Sequence, residues 1–137
     1  MRLNVVVAEA NVDLAETVCS YLRARECEVH VARSGVECLE RLRQFSPHVL
    51  VLDLELLWGG GSGVLACLRE SNHGYCPAVV LTTTPRGEQH LTRFAPVVDY
   101  LVKPFALASL LQCIERAVQS PDFDATRSTG RRTGPTD

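Results

Sequence analysis

No apolar stretch in this sequence approaches the ~20 residues a membrane-spanning helix needs. The N-terminus, MRLNVVVAEAN, lacks the pattern of a secretory signal. The expectation is a cytoplasmic protein with no membrane partner. An excess of positive charge is missing too. Fourteen Lys and Arg stand against 16 Asp and Glu, a net charge of −2, so nothing favours nucleic acid as a partner. Metal-ligand spacing is also absent. Cys19, Cys27, Cys38, Cys67, Cys76 and Cys113 form no Cys-x-x-Cys, and His30, His48, His73 and His90 are equally dispersed. The thiols are expected to be reduced, partly buried small hydrophobes, and the histidines receive no ligand role.

What is there is an ordinary globular composition, 46% hydrophobic and 22% charged. A chain of 137 residues can bury a real core as one domain. Short apolar runs alternate with helical patterns five times. LNVVVA (3–8), CEVHVA (27–32), HVLVLD (48–53), PAVVLT (77–82) and VVDYLV (97–102) read as strands. Between them, residues 12–25 place Leu14, Val18, Tyr21 and Leu22 on one helical face. Ser34 with Glu37 reads as a capping box before a stripe of Val36, Leu39 and Leu42. A glycine-rich loop, WGGGSG (58–63), leads into a short helix carrying Val64, Leu65 and Leu68. The segment 85–96 has only slight helical character, with Pro85 and Gly87 against it. The last helix is the clearest, with Leu107, Leu110, Leu111, Ile114 and Val118 on one face. Residues 1–119 are expected to form the domain, and 120–137, which cannot bury enough to fold, a flexible tail.

Strands alternating with helices imply a parallel sheet with helices on both faces. In such sheets functional groups gather beyond the carboxyl ends of the strands. Asp53 ends a near-continuous apolar strand, where a bare carboxylate would cost several kcal/mol if it were buried and unpaired. It must therefore be paired, metal-bound or at a solvent-facing rim. Glu9, Thr82 and Lys103 sit at or just past other strand ends. Two acids, a hydroxyl and an ammonium thus converge on one rim. The bland alternative is a strand-end ion pair between Asp53 and Lys103 with no further role.

The four pieces VVVAEANVDL, PHVLVLDLEL, PAVVLTT and DYLVKPF, in this order and spacing, resemble the receiver domains of bacterial two-component response regulators. The resemblance covers about residues 3–118 and implies a flavodoxin-like (βα)5 fold with strand order 2-1-3-4-5. It implies a signalling phosphoacceptor, not an enzyme, and a single-domain receiver that works through another molecule. Asp53 matches the phosphoacceptor that attacks a phosphohistidine on a histidine kinase or phosphotransfer protein. Lys103 matches the lysine that pairs with the acceptor, Thr82 the phosphoryl-binding hydroxyl, and Tyr100 the aromatic switch. Glu9, Asp53 and the Glu55 backbone carbonyl match magnesium ligands, and Pro104 a residue after a cis peptide. Output would pass to a downstream partner or a second copy through the surface formed by the fourth helix (within 84–96), the fifth strand and the last helix.

Four positions depart from the family pattern. Ala10 stands where the family has a second magnesium-ligating acid, and Asn11, which follows, has only a neutral amide oxygen. Thr83 replaces a usual Ala or Gly and is expected to crowd the path to Asp53. Leu57 replaces a usual proline, and WGGGSG lengthens the adjacent loop. Magnesium should therefore be held weakly. Two alternatives follow: a pseudo-receiver acting as a phosphorylation-independent interaction module, and a phosphoaspartyl enzyme of the haloacid-dehalogenase type. The second fits less well, because that class carries its Asp-x-Asp on the first strand.

Overall fold

The computed structural model describes residues 2–56, 60–70, 76–87 and 96–119. Five parallel strands form one sheet: β1 (Asn4–Ala8), β2 (Glu28–Ala32), β3 (Val49–Asp53), β4 (Ala78–Thr83) and β5 (Val97–Val102). Their order is β2-β1-β3-β4-β5, as the resemblance implies. Helices α1 (Val12–Arg23) and α4 (Leu107–Gln119) cover one face, and α2 (Gly35–Phe45) and α3 (Gly60–Glu70) the other. β3 and β4 lie between both layers and are buried throughout, which is why their sequences are near-continuously apolar. Each fully buried Val or Leu there contributes about 1.5–3 kcal/mol.

Local signals explain the helices. Asn11 caps α1 by accepting from the Leu14 N–H, and Ala15, Val18, Cys19 and Leu22 bury one stripe. Ser34 caps α2 by accepting from the Glu37 N–H at 3.1 Å. The reciprocal arm of the expected capping box lands one residue early, with Glu37 accepting from the Arg33 N–H at 2.9 Å. Val36 does not join the stripe: it is 58% exposed, and Cys38 is buried in its place beside Leu42. At 100° per residue, Val36 lies well off the face that Gly35, Cys38 and Leu42 define.

The glycine run is also reassigned. Gly60 to Gly63 form the first turn of α3, where a loop was expected. No disulfide joins the six cysteines. Cys19, Cys27, Cys38 and Cys113 are buried, but Cys67 on α3 is exposed, contrary to the expectation for it. Burial pushes the Cys38 thiol up to about 12, so it is inert at neutral pH. No helix among the described residues is long and apolar enough to cross a membrane. The expected fourth helix falls largely on 88–95, outside the described residues, as do Leu57, Trp58, His73, His90 and the tail 120–137.

Candidate functional site

The chain leaves β1 toward β2 on one side and returns to β3 on the other. The strand order thus reverses between β1 and β3, and the region beyond their carboxyl ends is the usual ligand position in such sheets. Glu9 follows β1 directly, held by its N–H on the Ala32 carbonyl at 2.9 Å. Asp53 is the last residue of β3 and pairs in register with Thr82 on β4. Lys103 follows β5, its N–H donating to the Thr83 carbonyl at 2.7 Å, and the Lys103–Pro104 peptide is cis.

These placements bring three charges together. The Lys103 Nζ lies 2.8 Å from Glu9 Oε1 and 3.3 Å from Asp53 Oδ2. Both acids are about nineteen-twentieths buried. The other carboxylate oxygens are tied to backbone: Asp53 Oδ1 accepts from the Glu55 N–H at 3.0 Å, and Glu9 Oε2 from the Asn11 N–H at 3.0 Å. Burial pushes the Asp53 carboxyl up, with the Glu9 charge adding to it. The Glu55 N–H and Lys103 pull it down, and the balance is about 6. Burial alone would lower Lys103, but its bonds to Glu9 and Asp53 raise it on balance, so the ammonium stays charged.

Thr82 is buried beside Asp53, whereas Tyr100 pairs with Leu81 and packs half-buried against the α2–α3 core, on the other face of the sheet. Ala10 also packs its methyl against that core. The Asn11 side-chain oxygen is committed to the N-terminus of α1. Among the described residues, no three His, Cys, Asp or Glu side chains are grouped to hold a metal ion. The donors present therefore fit a resident magnesium ion poorly: Glu9 and Asp53 share an ammonium, Ala10 has no donor, and Asn11 is already engaged.

Thr83, expected to crowd the path to Asp53, has a partner of its own in Glu55. Its hydroxyl donates to Glu55 Oε2 at 2.9 Å, joined by the Thr84 hydroxyl at 3.1 Å and the Thr84 N–H at 3.3 Å. Burial would raise Glu55, but these donors lower it on balance, so it is an anion held by the residues after β4. Gly87 completes the clamp. Its N–H donates to the Thr84 hydroxyl, and a Cβ there would collide with Glu55 Oε2 and Thr83 Oγ1. Glu55 thus ties Asp53 to the loop after β4 through its N–H on one side and its carboxylate on the other. Neither role was visible in the sequence; the only trace is the Thr82-Thr83-Thr84 run at the end of β4, facing a Glu two residues past Asp53.

Gly61 was missed as well. A Cβ there would lie 2.7 Å from both the Asp53 carbonyl oxygen and Leu54 Cα. Gly61→Ala should push the end of β3 away from α3 and destabilise the protein by roughly 1–3 kcal/mol in urea unfolding. Gly63→Ala, with open space around its Cβ, is the control. It should be neutral or stabilising by up to about 1 kcal/mol, because alanine is the better helix former. Equal effects at the two positions would contradict the close approach at Gly61.

Comparison with known proteins gives the family and the fold. Residues 5–115 match the response regulator receiver domain family. The transcriptional regulatory protein PrrA of Mycobacterium tuberculosis is 29% identical over 126 residues, covering 91% of this chain and 54% of that protein. A protein-glutamate methylesterase/protein-glutamine glutaminase of Myxococcus xanthus is 38% identical over 84 residues, covering 59% of this chain and 24% of its own length. The chain thus spans about half the length, or less, of these relatives. Among solved structures, a response regulator receiver domain from Bermanella marisrubri superposes with a TM-score of 0.77 at 23% identity, covering 86% of this chain and 99% of that one. The chemotaxis response regulator CheY4 of Vibrio cholerae gives 0.76 at 21% identity, with 85% and 99% covered.

Proposed function

The chain belongs to the response regulator receiver domain family, and on that premise we propose that Asp53 accepts a phosphoryl group from a histidine kinase or phosphotransfer protein. Receivers of this family are signalling phosphoacceptors, not enzymes, and a two-component receiver implies a histidine kinase partner. One observation carries the reading to Asp53: a buried carboxylate sits 3.3 Å from an ammonium at the sheet's switch point.

In the transfer, an Asp53 carboxylate oxygen attacks phosphorus. The new O–P bond forms as the N–P bond of the donor phosphohistidine breaks, and the electron pair returns to the imidazole nitrogen. Lys103 stands on the Oδ2 side to offset the phosphoryl charge, and the Glu55 N–H fixes the carboxylate by Oδ1. Thr82 supplies a hydroxyl next to the reacting group, and Tyr100 is the residue whose burial reports the change. The family typically binds magnesium. Here Ala10 supports a weakly held ion, so the positive charge falls mainly to Lys103. The phosphorylated state would be read by a downstream protein or a second copy on β5, α4 and the segment after β4, in the cytoplasm.

A second reading, a receiver fold serving as a phosphorylation-independent interaction module, is favoured by the same pocket. Lys103 is already shared by Glu9 and Asp53, and Glu55 clamps the loop that would respond. The two readings part on one test. Incubating the intact protein with a small acyl phosphate and magnesium should add a single phosphoryl group by mass, acid-stable and base-labile. No gain after prolonged incubation would favour the interaction module.

A further inference from the structure

Among the described residues, β2 is an edge strand of the sheet. In a parallel pair, alternate residues turn their N–H and C=O toward the neighbour. The Glu28 N–H donates to the Leu3 carbonyl at 2.7 Å, and the Ala32 carbonyl accepts from the Glu9 N–H at 2.9 Å. Glu28, His30 and Ala32 therefore face β1, and the peptide groups of Val29 and Val31 face outward. Such a row of unpaired groups is a template for another strand.

Both outward carbonyls are covered by arginines. Arg23, the last residue of α1, donates from Nη2 to the Val29 carbonyl at 2.8 Å. Arg41, on α2, donates from Nε to the Val31 carbonyl at 3.1 Å. One arginine comes from each helical layer, so the edge is gripped from both faces of the sheet. The acidic pair Glu9 and Asp53 has its ammonium from Lys103 instead. On the α2 side, His30 stacks on Phe45 with centroids 3.4 Å apart and holds the Glu28 carboxylate at 3.0 Å, placing further polar groups along the edge.

We propose that Arg23 and Arg41 keep the β2 edge closed against strand addition by a second copy of this chain. A second copy is the occupant because two identical edges related by a two-fold axis run antiparallel. Each then offers the same Val29 and Val31 groups, a self-complementary pairing. Arginine suits this role because its donors satisfy the carbonyls while its charge repels an identical edge bearing the same two residues.

The test is the double variant Arg23→Met, Arg41→Met, which keeps the aliphatic stems and removes the donors and charges. Sedimentation should show self-association strengthened by at least about tenfold over the parent, since each lost pair is a charged hydrogen bond. In the associated form, amide exchange at Val29 and Val31 should slow as concentration rises, while His30, already bonded to β1, should not change. Should the double variant not fold, the two single variants carry the test, each with one cap left and weaker association expected. A folded variant that stays as monomeric as the parent overturns the proposal. So does an oligomer in which the Val29 and Val31 amides exchange as fast as in the monomer.

Discussion

Asp53→Asn should yield a protein that takes no phosphoryl group and yet is more stable than the parent at neutral pH. The first effect follows from removing the only nucleophile proposed for the site, since an amide oxygen does not form an acyl phosphate. The second follows from the pocket. Burial and the Glu9 charge hold the Asp53 carboxyl at about 6 in the folded state, against about 3.9 for an unfolded aspartate. Between these values the folded chain binds the extra proton, so stability falls as pH rises through this window. The loss is complete above about pH 6 and absent below about pH 4. The substituted amide carries no charge to desolvate and leaves Lys103 paired with Glu9 alone. The gain at pH 7 should be on the order of 1–3 kcal/mol, shrinking toward zero at pH 4. Urea unfolding of both proteins at the two pH values measures it. A less stable Asp53→Asn protein at pH 7 would mean that the Lys103–Asp53 pair outweighs its own desolvation.

Ala10→Asp should raise magnesium affinity by at least about 10–100-fold. Changes in residues that only orient metal ligands already cost that much, and an acid at position 10, once turned from the α2–α3 core toward Glu9 and Asp53, adds a ligand and a charge. Without magnesium the same substitution should lower stability, because three carboxylates would then share the single ammonium of Lys103. Saturating magnesium should restore the loss by binding only the folded state. Calorimetric titration of both proteins reads the affinities directly. A parent that binds magnesium as tightly as the variant would show that another donor has replaced the missing acid.

The sheet was legible because its strands carry their own evidence. Buried parallel strands must be apolar on both faces, so VLVLD and AVVLTT announce themselves. Glu9, Asp53 and Lys103 were legible for the opposite reason: charge at the end of such a run has few explanations. The cap at Ser34 was readable only in part, since side-chain reach decided that Glu37 bonds Arg33 and not Ser34. Val36 misled because hydrophobicity marks it as core, whereas helical phase leaves it outside. The Glu55 clamp and the tight glycines were illegible in principle. They depend on distances between β3, α3 and the residues after β4, which no local pattern encodes. The same holds for Arg23 and Arg41, whose partners are backbone carbonyls that any sequence would supply.

The central claim is that Asp53 accepts a phosphoryl group in a pocket where Lys103 supplies most of the positive charge. Its most direct measurement is the rate of phosphoryl gain, by intact mass, with a small acyl phosphate at zero and millimolar magnesium. The parent should gain one group slowly and with little dependence on magnesium, Ala10→Asp should gain it faster and depend on magnesium, and Asp53→Asn should gain none. A parent as fast and as magnesium-dependent as Ala10→Asp, or a gain that survives in Asp53→Asn, would contradict it.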